Sequence, residues 1–477
     1  MGKVTVIAVL AVLSCGAAIA ADVRAARKAA PRPPNVILFL ADDLGYGDLG
    51  SYGHPVHRTP HIDRLAAEGQ RWTSFYAASS VCTPSRGSLL TGRLPARLGL
   101  ERSEGGPAVF FPFSTGGLPL EEVTIAELLR TAGYSTALIG KWHLGFSAQF
   151  SPNAQGFDYF FGTLGSNDMD PVNPRDPELF TKVPDEADWN AALYRNERVI
   201  EQPLRQDMLT LRFTEEAVGF LRGHRSKPFF MMVAYTAPHV PLFPSPQFSG
   251  RSLGGRYADV VEEMDWSVGR IMAELRSLKL DDNTLVIFTS DNGPIDLFGA
   301  YGGSAGPLRG GKGTTWEGGV RVPGIFWGPG LVKRGVEHGL GSQLDLFSTI
   351  ADIAHGPVSS TRALDGQSLR RTLSAGESSP RDSVPYFRDG SIYALRVGDI
   401  KAHWVTEGAY GAGEPRTAYD PPLFFDLSQD PAERHPLDAA PDSLRTRMID
   451  ARRREEQFVV PAVSELLKGV PPRPAAP

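Results

Sequence analysis

The sequence predicts an α/β fold: a mostly parallel central sheet flanked by helices, then a smaller C-terminal antiparallel subdomain. Three observations predict it. Short runs apolar on both faces recur, and each ends in polar residues at its C-terminal side, as buried parallel strands do. Segments of helical period lie between them, which is the alternation of a parallel sheet. Near residue 370 the pattern changes to short strands paired around tight turns.

The first run is "PNVILFLADDLGYGD", which closes on Asp42 and Asp43. The pattern returns in "YSTALIGKWHLG", "KPFFMMVAYTAPH" and "TLVIFTSDNG". Helical periods occupy "LEEVTIAELLRTAG" and "YADVVEEMDWSVGRIMAELRSL". Ligands of such sheets bind at the carboxyl ends of the strands, so the four polar clusters are expected at one edge. Further on, "IYALRVGDIKAHWV" reads as two strands around Gly398-Asp399, and "PPLFFDLSQDP" as another strand. A polar helix is expected over roughly 440–467, before a Pro-rich tail. Segments 97–118 and 163–190 are loop-rich and suit rims over a site.

The chain has 477 residues, too many for one small domain. The expected division is a signal peptide over 1–20, a linker over 21–34, a catalytic domain over 35–370, the antiparallel subdomain over 371–468 and a tail over 469–477. Lys3, the apolar run Val4 to Leu13 and the small-x-small site at Ala18-Ile19-Ala20 fit a secretory signal. A lipoprotein anchored through Cys15 is the weaker reading, because Leu13 just before Ser14 fits that motif poorly. No later run offers the roughly 20 apolar residues of a transmembrane helix. Without its leader the chain keeps one thiol, Cys82, and no asparagine stands in an N-x-Ser/Thr sequon. Both features favour a bacterial periplasmic or secreted protein. The net charge of −5 supplies no basic field for nucleic acid, so an anionic substrate must be held by local charge.

Asp42 and Asp43 repel each other unless a cation lies between them. With Asp291 and Asn292 at another strand end, the donor set is all oxygen, which suits Ca²⁺, or Mg²⁺, over zinc. Either pair alone reads more readily as turn residues or helix caps, and the two together, at two expected strand ends, as a metal site. In "SSVCTPSRGSLLTGR", Pro84 suits a first helical turn, which places Cys82 at the N-terminus of a helix ending near Leu90, with Gly92 as terminator. Such an end stabilises an anion, and Arg86 adds a cation one turn on. A buried inert cysteine is the default reading, but the neighbours Thr83, Pro84, Ser85 and Arg86 are not core residues. A cysteine-phosphatase thiolate needs a longer anion loop than the three residues between Cys82 and Arg86. One spacer puts Lys141 and His143 on the same side of an extended chain. His239 lies in "TAPHVP" and Lys312 in "RGGKGTTWEGG". Gly313 follows Lys312, so that glycine run is not a nucleotide P-loop.

Taken together, these motifs resemble the sulfatase family, the formylglycine-dependent type I branch of the alkaline phosphatase superfamily. "CTPSRGSLLTGR" and "GKWHLG" are similar to its two signatures, and "FLADDLGYGD", "FTSDNGP" and "GKGTTWEGGVRVP" to further segments. "GGLPLEEVTIAELL", "KAHWVTEG" and "PPLFFDLSQDP" resemble arylsulfatase A in particular. The resemblance implies an alkaline-phosphatase-like sheet and a sulfuric ester hydrolase. It implies that a formylglycine-generating maturation enzyme oxidises Cys82 to Cα-formylglycine. One hydroxyl of the aldehyde hydrate then attacks the sulfur of a sulfate ester and expels the alcohol or phenol. The other loses its proton, the C–O bond breaks, and sulfate leaves as the aldehyde re-forms.

The resemblance also implies roles. Asp42, Asp43, Asp291 and Asn292 bind Ca²⁺ together with residue 82, and Asp291 also serves as a base. Arg86 and Lys141 hold the hydrate, and His143 is the base for elimination. Lys141, Ser166, His239 and Lys312 contact sulfate, and His239 or Lys312 protonates the leaving oxygen. Asparagine at 292, where two-metal phosphatases of the superfamily carry histidine, suits one hard cation. A phosphoester or phosphonate-ester hydrolase on the same fold is the alternative. The cysteine-rich C-terminal region of animal arylsulfatase A is missing, which leaves the oligomeric state and the choice among aryl, lipid and carbohydrate sulfates open.

Overall fold

The protein is described by a computed structural model over residues 32–103, 107–174, 176, 178–180, 182–356, 362–437 and 440–469. The expected signal peptide, nearly all of the linker and all but the first residue of the tail lie outside these residues.

The strands in chain order are β1 (Asn35–Ala41), β2 (Gln70–Tyr76), β3 (Ser135–Lys141), β4 (Tyr159–Thr163), β5 (Leu193–Arg195), β6 (Arg198–Glu201) and β7 (Phe229–Ala234). They continue with β8 (Thr284–Ser290), β9 (Arg321–Trp327), β10 (Gly335–Ser342), β11 (Ser383–Arg388), β12 (Ser391–Val397), β13 (Ile400–Thr406) and β14 (Thr417–Asp426). The large sheet has the order β10-β2-β9-β8-β1-β7-β3-β4-β5-β6. Its centre, β8-β1-β7-β3-β4, is parallel throughout. Only β9 and β5 pair antiparallel with both neighbours. The second sheet, β11-β12-β13-β14, is antiparallel.

The four apolar runs of the sequence are the central strands β1, β3, β7 and β8. Alternate residues of β1 feed opposite cores: Ile37, Phe39 and Ala41 join one cluster, Val36, Leu38 and Leu40 the other. Helices Pro60–Glu68, Leu209–Gly223 and Gly255–Ser277 cover the first face, and Cys82–Thr91, Ile125–Thr131 and Leu344–Ile353 the second. Each large side chain so buried contributes about 1.5–3 kcal/mol. Parallel register does the rest for the site. Ala41 pairs with Ser290, and Leu40 and Gly140 both flank Ala234, so the chain leaves β1, β3, β7 and β8 at one edge.

Two local expectations change. The helical period in "LEEVTIAELLRTAG" forms a helix only over Ile125–Thr131, because Thr124 and Glu127 close a capping box there. The polar helix expected to 467 stops at Phe458. Pro461 cannot donate to a helix, and the chain instead runs along another segment, with Ala462 N–H to Ala96 O and Glu465 N–H to Gly99 O, both 2.8 Å.

Candidate active site

Five residues after β2, the chain enters helix Cys82–Thr91, every residue of which is buried. Gly92 ends it in the left-handed region at φ 69°, its N–H bonded to Ser88 O at 2.8 Å. Cys82 thus opens the helix, as its sequence context predicted. Its thiol is free and points at two acids, with Sγ 3.5 Å from Asp42 Oδ1 and 3.9 Å from Asp43 Oδ1. Burial pushes the thiol pKa well up. Lys141 and Lys312 pull it down, Asp291 and Asp42 push it further up, and the sum keeps the proton on sulfur. A thiolate nucleophile therefore has no support here.

Asp42 and Asp43 leave β1, Asp291 and Asn292 leave β8, and all four are buried. Asp43 takes a left-handed φ of 64°, a strained choice for a residue with a Cβ. Its N–H donates to Asp291 Oδ1 at 3.2 Å, and Asn292 Nδ2 donates to its Oδ1 at 2.7 Å. Burial alone would raise the Asp42 pKa, but Lys141, His239, Arg86 and Lys312 outweigh it and hold the carboxylate far below the usual range. Asp291 moves upward, through burial and then the neighbouring Asp42.

Cations close the cluster. Arg86 Nε donates to Asp291 Oδ2 at 2.8 Å, and Nη1 to Lys141 O at 2.9 Å. Lys141 Nζ reaches Asp42 Oδ2 at 2.7 Å, and Lys312 Nζ reaches Asp43 Oδ2 at 2.8 Å. His239, just past β7, sets Nε2 3.5 Å from the same Asp43 oxygen. Its Nδ1 faces the Val240 carbonyl.

His143 corrects one expectation. The strand ends at Lys141 and His143 takes φ 64°, so strand alternation does not bring the two side chains together. The turn instead aims His143 at the cavity. Its Nε2 lies 3.1 Å from Phe110 O, which can only accept, so Nε2 carries the proton and the buried, unpartnered Nδ1 keeps its lone pair. Burial, Lys141 and Arg86 hold its pKa well below 6.5, so the ring is neutral. Ser166 Oγ is likewise buried and unpartnered.

These side chains meet at a cavity of about 570 Å³ that Cys82, His143, Ser166, His239 and Lys312 line. Its remaining wall is mostly apolar. Phe111 stacks on Phe113 with centroids 5.3 Å apart, and Phe180 on Phe298 at 5.6 Å. Tyr410, in the connection between β13 and β14, also lines it, in a left-handed conformation at φ 53°. Sequence reasoning named the rim loops but missed these aromatics and Tyr410. The positive φ of a tyrosine is invisible in sequence.

The sulfatase family model matches residues 34–356, and the model for the C-terminal region of aryl-sulfatase matches 379–476. The chain belongs to the sulfatase family. It is 42% identical to bovine (Bos taurus) arylsulfatase A over 451 residues, 88% of this chain and 87% of that protein. It is 39% identical to mouse (Mus musculus) N-acetylgalactosamine-6-sulfatase over 468 residues, 93% and 88% of the two chains. Among solved structures, a sulfatase from Pseudoalteromonas sp. superposes with TM-score 0.77 at 30% identity, covering 90% of each chain. The protein is a sulfuric ester hydrolase of arylsulfatase type on an alkaline-phosphatase-like fold.

Sulfatases are metal-dependent, and ligand atoms of Asp42, Asp43, Cys82 and His239 lie within 4.8 Å of one another. The donor chemistry fits a cation. Three buried carboxylates converge, and the buried Asn292 Oδ1 has no hydrogen-bond partner. Among the described residues no helix is long and apolar enough to cross a membrane.

Proposed function

We propose that this sulfatase works through Cα-formylglycine at position 82, installed by a formylglycine-generating enzyme, with Ca²⁺ held by Asp42, Asp43, Asp291, Asn292 and residue 82. The observation that carries the reading is the placement of Cys82, buried at a helix N-terminus with its Sγ 3.5 Å from Asp42 Oδ1 among the acids and lysines. A buried thiol with a raised pKa is a poor nucleophile. Formylglycine supplies, as its hydrate, a nucleophile for sulfur and an aldehyde that can re-form to release sulfate. Ca²⁺ supplies charge to orient sulfate oxygens, and all-oxygen donors with asparagine at 292 select it, or Mg²⁺, over zinc.

The chain's own groups do the rest. Arg86 and Lys141, both anchored on the carboxylates, hold residue 82 in place. Asp291, its pKa raised by burial and by Asp42, suits accepting the proton of the attacking hydroxyl. Neutral His143, with a free Nδ1, suits the base of the elimination step. Lys141, Ser166, His239 and Lys312 face the sulfate. Lys312 stays an ammonium because Asp43 overcomes the cost of burial, and it or His239 protonates the leaving oxygen. Preorganised charge of this kind is usually the largest single term in catalysis.

The stacked phenylalanine pairs support a flat, apolar leaving group, an aryl sulfate before a sulfated sugar. The N-terminal pattern supports export, to the periplasm or the medium. Mass spectrometry of the peptide containing residue 82, from active enzyme of the native host, tests the mechanism. Formylglycine is expected, and an unmodified thiol in active enzyme rejects it.

A further inference from the structure

Among the charged side chains that lie fully buried outside the cavity and take no part in the chemistry above are Lys401, Glu317 and Glu433. Burying such groups is expensive unless every one is paired and hydrogen-bonded. Here Lys401 is met by two carboxylates and a carbonyl oxygen. From β13, its Nζ lies 3.0 Å from Glu317 Oε1, 2.9 Å from Glu433 Oε1 and 2.9 Å from the carbonyl oxygen of Thr315. Tyr386 and Tyr76 each donate a hydroxyl to Glu317 at 2.6 Å. The Glu433 carboxylate accepts the Glu317 N–H at 2.7 Å, and its carbonyl oxygen accepts from Arg309 Nη1 at 3.0 Å.

Some partners of this cluster come from elsewhere, since Arg321 and Arg396 also reach Glu317 and His403 reaches Glu433, but several belong to one loop. Residues 309, 315 and 317 are the flanks of one loop, and Lys312 stands at its tip. The loop is closed by Gly318 N–H on Arg309 O at 2.7 Å, and the tip is pinned by Lys312 N–H on Pro294 O at 2.7 Å and Gly313 N–H on Ser80 O at 2.9 Å. Gly313 holds φ 83°, which leaves the loop few alternative shapes that keep these bonds. From the tip, Lys312 Nζ reaches Asp43 Oδ2 at 2.8 Å. Packing two sheets together needs only apolar residues of similar volume. A charged knot aimed at the flanks of one loop does something more specific.

We propose that Lys401 is a positioning residue for Lys312: through Glu317 and Glu433 the C-terminal sheet sets where the Lys312 ammonium meets the ester. This rests on the reading above, in which Lys312 carries charge at the leaving oxygen. A shift of the loop then costs rate at that oxygen, and it costs most where the leaving group is poor.

The test compares kcat/KM for phenyl sulfate and 4-nitrophenyl sulfate, with enzyme co-produced with the maturation enzyme. In K401M the phenyl sulfate value is expected to fall about 100-fold, the usual cost of a misplaced group, and the nitrophenyl value distinctly less. K312M is expected to show the same asymmetry, and K312M/K401M to be no worse than K312M. Y386F keeps every charge and removes one bond to Glu317, so it should move both values in the same direction by a smaller factor. K401R should restore part of the loss. Equal losses for both substrates in K401M and Y386F, or a double variant losing the product of the single effects, would reduce Lys401 to packing and overturn the proposal. If K401M does not fold, Y386F decides on the same criterion. An unchanged leaving-group dependence in K312M would instead remove the role of Lys312, and this proposal with it.

Discussion

Arg86 Nε donates to Asp291 Oδ2 at 2.8 Å, with both side chains at most 1% exposed. The bond ties the helix that begins at Cys82 to the end of β8. Removing one partner of a buried pair leaves an unpaired charge and costs about 3–5 kcal/mol. Arg86→Met is therefore expected to lower the unfolding free energy, measured by urea denaturation, by an amount of that size. Arg86→Lys keeps the charge but loses the fork that also reaches Lys141 O at 2.9 Å. It should fold with a smaller loss and lower kcat/KM about 100-fold, as removal of a preorganised donor does. Wild-type turnover by Arg86→Lys would reject the assigned role.

Removal of divalent metal should act on stability as well as on rate. Asp42, Asp43 and Asp291 repel one another, and a bound cation relieves that repulsion in the folded state alone. Chelation is expected to lower Tm and activity together, and added Ca²⁺ to restore both. In Asn292→Ala, the unpartnered Oδ1 is gone, so the Ca²⁺-dependent rise in Tm should shrink. Thermal melts at fixed protein and varied Ca²⁺ measure this without any substrate. A Tm indifferent to chelator and to Ca²⁺ would refute the metal assignment.

The centre of the fold was legible because β1, β3, β7 and β8 are apolar on both faces, a pattern only a sheet covered by two helix layers requires. β2, β9 and β10 were not, since "QRWTSFY", "RVPGIFW" and "GVEHGLGS" mix polar residues, Gly and Pro with the apolar ones. The site residues were legible because they follow legible strands. Asp42, Lys141, His239 and Asp291 come after four runs whose ends parallel register must gather. Tyr410 and Lys401 were not, because they reach the site or its supporting loop from a separate sheet or the connection between its strands. The turn at His143 also escaped, because a left-handed φ in a non-glycine residue leaves no mark in sequence.

Glu101 is buried, its Oε2 has no partner, and burial followed by the charge of Asp389 pushes its pKa up to about 8, against a smaller pull from Arg388. The folded state therefore holds a proton that the unfolded chain releases near pH 4.5. Stability from this group is full below about pH 4.5 and is lost as pH rises towards about 8. In Glu101→Gln the titration is gone, so Tm should fall less between pH 5 and pH 8 than in wild type. Parallel Tm-versus-pH curves for the two proteins would show that Glu101 is ionised in the fold.

The cavity wall gives the last prediction. The Phe111–Phe113 and Phe180–Phe298 pairs form an apolar part of the cavity wall, so they are expected to act on the leaving group. Truncating Phe180 to Ala removes a large apolar face, about 1–3 kcal/mol of binding for a group that packs on it. For an aryl sulfate, KM is expected to rise about 10- to 100-fold with kcat little changed, since contact with a ring is equal in ground and transition states. Inhibition by inorganic sulfate should stay at the wild-type level, because sulfate reaches only the charged floor. If Phe180→Ala weakened sulfate inhibition as much as aryl sulfate binding, the wall would be supporting the floor rather than reading the leaving group.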